Sequence, residues 1–337
     1  MLPASRVLDM HLCPMFTPAL PPVPHVGGPI LPPAGIPVLI SGMPAARISD
    51  MCVCVGPPDV IVSGAAAVLI RGLPAARLTS QCAHGGMVVM GSFTVLIGGP
   101  TFTARPITRT FNILKWEWEW HYGSAITISE DPTNPNYQMD VIAALVRLDS
   151  TPNMHAAFDA LEASGNNINI IPYVPPPGWG PFNAYCQPNN ATNAANGTGT
   201  GSTVAWDPNV HGFGLPGTTP PSSQPGSDVI LAHEMIHGVH NATGTQGAGP
   251  TDANGINVSE ERNTVGLPAG TYNNPGNPAD PLNGTPLPNT SGLPYTENGV
   301  RNDYASRGID SPVTGAPPVQ RPSYYPPTPT DGPGAPF

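Results

Sequence analysis

Residues 228–240 read Asp-Val-Ile-Leu-Ala-His-Glu-Met-Ile-His-Gly-Val-His and contain His233-Glu234-Met235-Ile236-His237, an H-E-x-x-H motif. No other stretch constrains the fold as tightly. On a helix, residues i and i+4 share one face, so His233 and His237 can hold one metal ion together if this stretch is helical. Glu234, beside the first histidine, can then serve as general base toward a polarised water. The flanks support a helix. Ser227 or Asp228 can accept from a free first-turn N–H as N-cap. Val229, Ile230, Ala232, Met235 and Ile236 supply apolar surface, and Gly238 is placed to end the helix in a left-handed turn.

Two imidazoles, a glutamate base and a polarised water are the arrangement of a zinc peptidase, and such a site needs a third protein ligand. Val258-Ser-Glu-Glu-Arg-Asn-Thr-Val-Gly266 follows in a plausible helix, with Glu260 and Glu261 as its carboxylates; Asp252 is nearer in sequence. The wording Ser-Glu-Glu-x-x-Thr-x-Gly resembles the region of the glutamate ligand in clostridial neurotoxin light chains and in M91-type metallopeptidase effectors. The resemblance implies Glu261 as the zinc ligand and Glu260 behind it, orienting a ligand histidine. Tyr295 to Tyr304 resembles the same families. There Arg301 and Tyr304 have the Arg-x-x-Tyr spacing of transition-state stabilisers, because a guanidinium and a phenol can stabilise an oxyanion. Glu297 could instead fix Arg301, or act as a ligand in place of Glu261. This resemblance spans roughly residues 125–310 and implies an α+β, zincin-like fold.

Between the motifs the periodicity predicts helices over 138–149 and 152–163, the second with Thr151 as cap, Pro152 in its first turn and Gly165 at its end. It predicts strands over 167–174 and 202–206, the latter as an edge for substrate. Residues 186–201 and 212–226 read as loops. Lys115-Trp-Glu-Trp-Glu-Trp-His121 alternates at period two, a strand with one aromatic face.

The chain has 337 residues, with 47 Pro and 38 Gly but 39% hydrophobic residues, so it reads as loop-rich and β-rich with disordered stretches. A formal charge of −10 argues against general nucleic-acid binding. No apolar run is long enough for a membrane span. Met1-Leu-Pro-Ala-Ser-Arg6 lacks a basic region followed by an apolar core, so no Sec-type signal peptide is expected. Of five cysteines, Cys13, Cys52, Cys54 and Cys82 lie among histidines in the first hundred residues, which favours metal binding over disulfides.

That first hundred contains a repeat. Pro37-Val-Leu-Ile-Ser-Gly-Met-Pro-Ala-Ala-Arg47 recurs as Ala67-Val-Leu-Ile-Arg-Gly-Leu-Pro-Ala-Ala-Arg77, with a truncated third copy at Thr94-Val-Leu-Ile-Gly-Gly-Pro100. Each copy reads as strand, Gly turn, strand, and the copies must stack to bury a face. With its Pro-Ala-Ala-Arg tetrapeptides, residues 1–100 resemble PAAR-repeat proteins, the sharpened tips of type VI secretion spikes. The resemblance implies an all-β cone seated on a VgrG-type spike trimer. A zinc ion near the apex would be held by three histidines and one cysteine. His11, Cys13, His25, Cys52, Cys54, Cys82 and His84 are the candidates. The resemblance suggests His25, Cys54 and His84, and His11 completes the set.

The expected organisation is therefore a PAAR spike tip (1–100), a linker with an aromatic strand (101–124), a zinc metalloendopeptidase domain (125–310) and a disordered Pro-rich tail (311–337). The expected function is a specialised type VI effector with two zinc sites. It would leave the producing cytoplasm with the spike and cleave a protein in the recipient cell. An immunity protein or a chaperone would be a further partner. The alternatives are a structural tip with an inactive or partner-binding passenger, and a zinc amidase acting on cell-wall peptides.

Overall fold

The structure is a computed structural model that describes residues 1–174, 184–210, 226–251, 257–273, 278–310 and 316–321. Asp252, His211, the 212–226 loop apart from Gly226, and the Pro-rich tail apart from 316–321 lie outside these residues. The chain forms two compact units. One comprises Met1–Tyr122, Glu130–Ser150 and Arg307–Ile309; the other comprises Gly123–Ser129, Thr151–Ser306 and Asp310–Phe337.

The first unit is strand-rich, and its repeat explains its wiring. Leu39–Ile40 pairs with Met43–Pro44, and Ser63–Ile70 pairs with Leu73–Ala75. Ser41, Gly42, Arg71 and Gly72 all have positive φ, as a two-residue hairpin turn requires. The truncated third copy, Ser92–Ile97, finds its missing half at the start of the chain, since Leu2–Ala4 pairs with it antiparallel. The registers Ile40↔Met43, Ile70↔Leu73 and Ile97↔Leu2 are equivalent. Leu2-Pro-Ala-Ser-Arg6 is thus a third copy of the tetrapeptide motif, which the sequence reading did not recognise.

Three-fold layers follow from this. Ala4, Ala45 and Ala75 pack with Ile40, Ile70 and Ile97 in one buried cluster. Ile30, Ile61 and Val88 pack with Ala46, Ala76, Cys52 and Cys82 in the next. Val38, Leu39, Val68, Leu69, Val95 and Leu96, which precede the three buried isoleucines, are exposed. The aromatic strand is present as Glu117–Tyr122, antiparallel to Ile107–Asn112. Helix α1 (Tyr137–Asp149) buries Val141, Leu145 and Leu148 as expected.

The second unit mixes helices and sheet. Ile126–Ile128, Ile168–Pro172 and Ser202–Trp206 run parallel, and Ala184–Pro188 lies antiparallel to Ser202–Trp206. Ser202–Trp206 is therefore paired on both sides and is not an edge. Ala184–Pro188 occupies the outer position among the described strands. Its last three residues fall in the stretch read as a loop, as does the short helix α3 (Ala191–Ala195), whose first turn is capped by Asn190. Helix α2 (Pro152–Ser164) has Thr151 at its N-cap position, though without a side-chain capping bond, and ends as expected at Gly165 with φ 72°.

Helix α4 (Ser227–Thr243) carries the H-E-x-x-H motif. It starts one residue earlier than expected, with Gly226 as N-cap, and ends six residues later, with Gly244 in the left-handed conformation. Gly238 lies within it, where a Cβ would collide with the Ile168 side chain. Close packing on the sheet, not helix termination, is the reason for glycine there. Helices α5 (Val258–Val265) and α6 (Glu297–Arg307) complete the unit. Asn257 caps α5 by accepting from Glu260 N, and Gly266 closes it at φ 76°.

Candidate metal centres and active site

α4 and α5 bring the predicted ligands together. One donor atom each from His233, His237 and Glu261 lie within 4.8 Å of one another. The two Nε2 atoms are 3.1 Å apart. Glu261 Oε2 lies 3.3 Å from His233 Nε2, and its Oε1 lies 3.2 Å from His237 Nε2. The i, i+4 spacing on α4 aims both rings at one point, and α5 supplies the carboxylate.

The outer nitrogens are held by carboxylates. His233 Nδ1 is 2.9 Å from Glu297 Oε2, and His237 Nδ1 is 2.9 Å from Glu260 Oε1. An ionised carboxylate accepts and does not donate, so each Nδ1 carries a proton, and each Nε2 faces Glu261. Glu260 Oε1 also accepts from His240 Nδ1 at 2.7 Å and from the Thr264 hydroxyl at 3.2 Å, and Oε2 accepts from Gly247 N. His240 reaches Glu260 because α4 continues past Gly238. That continuation is what the sequence reading missed.

The titratable groups at this point shift one another. Burial raises Glu261, but His237 and His233 outweigh it and bring it down to about 2. Burial likewise opposes Glu260, yet His237 and His240 hold it well below the carboxylate range. Glu297 lies far below that range despite burial, because of Arg321 and Arg301. Arg301 and Arg321 more than offset Glu297, while Glu260 and Glu261 are balanced against the histidines, whose own values they raise despite burial. A divalent ion fits the donor set of two imidazoles and a carboxylate. Glu234 behaves differently: burial pushes its carboxyl up, against the pull of His233 and His237. A raised carboxyl is what a general base needs.

Arg301 and Tyr304 have partners beyond the three donor groups. Arg301 Nε donates to Glu297 Oε1 at 2.6 Å and Nη1 to the Val319 carbonyl at 2.9 Å. Its buried Nη2 has no hydrogen-bond partner among the described residues. The Tyr304 hydroxyl donates to Asp228 Oδ2 at 2.7 Å.

In the first unit, Cys13, His25, Cys54 and His84 have donor atoms within 4.8 Å of one another. His11 is not in this group and Cys13 takes its place. His11 lies fully buried, with Nδ1 2.9 Å from the Gly28 carbonyl and Nε2 3.3 Å from Asp59 Oδ2. The repeat explains the correction. Cys13, Cys54 and His84 each stand seven residues after the motif arginine (Arg6, Arg47, Arg77), whereas His11, Cys52 and Cys82 stand five after it. The first trio meets in one group with His25; Cys52 and Cys82 sit in the buried layer beneath. Cys13 Sγ is 3.7 Å from His84 Nδ1, and Cys54 Sγ is 3.4 Å from His25 Nδ1. Thr17 Oγ1 holds His25 Nε2 at 2.8 Å. Burial pushes His84 down to about 4, and burial with neighbouring Cys13 pushes Cys54 up to about 12. Neutral imidazoles and crowded thiols suit a metal, which would draw the thiol protons off. His84 also stacks on Trp120 at 5.4 Å, so this end of the aromatic strand is packing surface, while Trp116 in the preceding turn is exposed.

A three-fold strand module with a thiol–imidazole cluster, and an α+β unit with a His–His–Glu group on two helices, define a bipartite chain: a motif-bearing module and a peptidase-like one. Comparison with protein families agrees. The PAAR motif matches residues 20–90, and the peptidase M91 family, described as effector protein, matches residues 123–307, more than half the chain. The chain belongs to that peptidase effector family and carries a PAAR motif ahead of it. No match is found among curated proteins.

Proposed function

We propose that the chain is a specialised type VI secretion effector: a PAAR tip carrying a zinc-dependent endopeptidase with a zincin-like fold, directed at a protein of the recipient cell. The convergence of His233, His237 and Glu261, with Glu234 next to the first histidine, carries this reading. His233, His237 and Glu261 would hold the catalytic zinc, and Cys13, His25, Cys54 and His84 a structural one. Bound zinc supplies Lewis acidity at the scissile carbonyl and a more acidic water. Glu234 takes that proton and delivers it to the leaving amine. Glu260 and Glu297 fix the histidine rings. Arg301, through its unpartnered Nη2, and Tyr304 supply donors to the oxyanion; for Tyr304 this role requires release of Asp228. Val38-Leu39, Val68-Leu69 and Val95-Leu96, one exposed apolar pair per copy, are suited to a three-fold VgrG-type spike.

The test compares wild type with Glu234→Gln in a proteome-wide search for new N-termini. Cleavage sites are expected with wild type alone, and equal cleavage by both removes the peptidase assignment. Digestion of purified peptidoglycan instead of protein would favour the amidase reading.

A further inference from the structure

The support of His233 includes a residue beyond the matched peptidase region, which ends at residue 307. Glu297, in the first turn of α6, is fully buried. Its Oε1 accepts from Arg301 Nε at 2.6 Å, and its Oε2 lies 2.9 Å from His233 Nδ1. Arg321 Nη1 donates to that same Oε2 at 2.9 Å. Arg321 is placed by its own backbone: its N donates to Asn298 Oδ1 at 2.7 Å, and its carbonyl accepts from Asn298 Nδ2 at 3.0 Å. Two residues before it, the Val319 carbonyl takes Arg301 Nη1. Residues 316–321 are thus fastened to α6 at two points.

We propose that Arg321 is a positioning residue of the metal centre, holding the Glu297 carboxylate on His233 Nδ1 and so aiming His233 Nε2 at His237 and Glu261. Arg301 anchors one carboxylate oxygen; Arg321 anchors the oxygen that faces the histidine. Without Arg321 that oxygen keeps no cation, and a buried carboxylate turns toward whatever charge remains. The ring it orients then loses its fixed direction, and outer partners of this kind are worth ~10–100-fold in metal affinity. The peptidase centre therefore extends to residue 321. This inference rests on reading His233, His237 and Glu261 as metal ligands.

Cobalt(II) is a suitable probe, because thiolate-to-cobalt absorption reports the cysteine-containing site alone. Full-length wild type, Arg321→Ala and Glu261→Gln would be loaded with cobalt and titrated with a chelator. Retained cobalt is measured beside the thiolate band. Arg321→Ala is expected to release its non-thiolate cobalt at ~10–100-fold lower chelator than wild type, with the band unchanged. Retention equal to wild type, with Glu261→Gln stripped, overturns the role of Arg321 and leaves the metal group standing. Retention by Glu261→Gln as well overturns the metal group, and the role of Arg321 with it. Arg321→Lys and Arg321→Gln settle the matter should the alanine variant unfold. The lysine variant is expected to hold the ion and the glutamine variant to lose it, and equal retention by both overturns the proposal.

Discussion

His11 and Cys13 stand two residues apart, and their fates show what residue-level reading needs. Both are buried, and both belong to a ligand-type residue class. What separates them is distance from the motif arginine, and that distance became readable once Leu2-Pro-Ala-Ser-Arg6 was recognised as a motif copy. Cys13→Ala is expected to abolish most thiolate-to-cobalt absorption of the tip, whereas His11→Ala keeps the band. His11→Ala should instead destabilise the fold by about 3–5 kcal/mol, since it leaves Asp59 buried without its imidazole. Denaturant unfolding, run beside the absorption, checks both; a lost band in folded His11→Ala would return His11 to the ligand set. In the second unit, His233, Glu234 and His237 were legible because helix spacing fixes their relation, whereas Glu261, on another helix, was reached only through the family resemblance. Arg321 was not legible, because nothing in a Pro-rich stretch announces a contact with α6. If Tyr304 aids the oxyanion, Tyr304→Phe should lower kcat/KM ~100-fold without loss of metal. Wild-type turnover by that variant would confine Tyr304 to its bond with Asp228.

Elements were legible where a local rule governs them. α2 shows its cap, its first-turn proline and its closing glycine in sequence. The strand Ala184–Pro188 does not, because its place comes from pairing with Ser202–Trp206, a contact made at long range. α4 was read too short because Gly238 was taken for a terminator. Gly244 ends α4 instead, and Gly266 closes the neighbouring α5 at φ 76° against the Thr296 side chain. Gly266→Ala should cost at least about 1–2 kcal/mol from backbone conformation alone. Because α5 carries Glu260 and Glu261, it should also weaken metal retention at the peptidase centre; an unchanged midpoint in denaturant would contradict this. In α1, burial pushes Asp140 up to about 6, partly offset by Arg147. The folded state then holds a proton that the unfolded chain has released, so this group's contribution to stability falls as pH rises through about 6. Asp140→Asn should therefore stabilise at pH 7.5 and do so less at pH 5. An equal gain at both values would show that Asp140 is not buried as described.

At the scale of the molecule, the two metal groups belong to separate units and separate ligand chemistries. His233→Ala is expected to lower bound zinc by about one equivalent and leave the tip's ion in place. Loss of both, measured by elemental analysis after dialysis, would mean that the units do not bind metal independently. The bipartite plan was visible in the sequence because the repeat and the H-E-x-x-H motif are each local signals. The closure of the third copy by the first residues was not, since it joins the two ends of the module. That closure has a consequence for stoichiometry. One polypeptide supplies all three strand pairs, so the module closes on itself without a second copy of the chain. The sectors are also unequal. Arg6 and Arg47 are 41 residues apart and Arg47 and Arg77 only 30, and the longer interval contains His25. Equivalent positions of the three copies contribute Cys13, Cys54 and His84, and the longer interval adds His25 as the fourth member, so the group breaks the three-fold pattern of the strands around it.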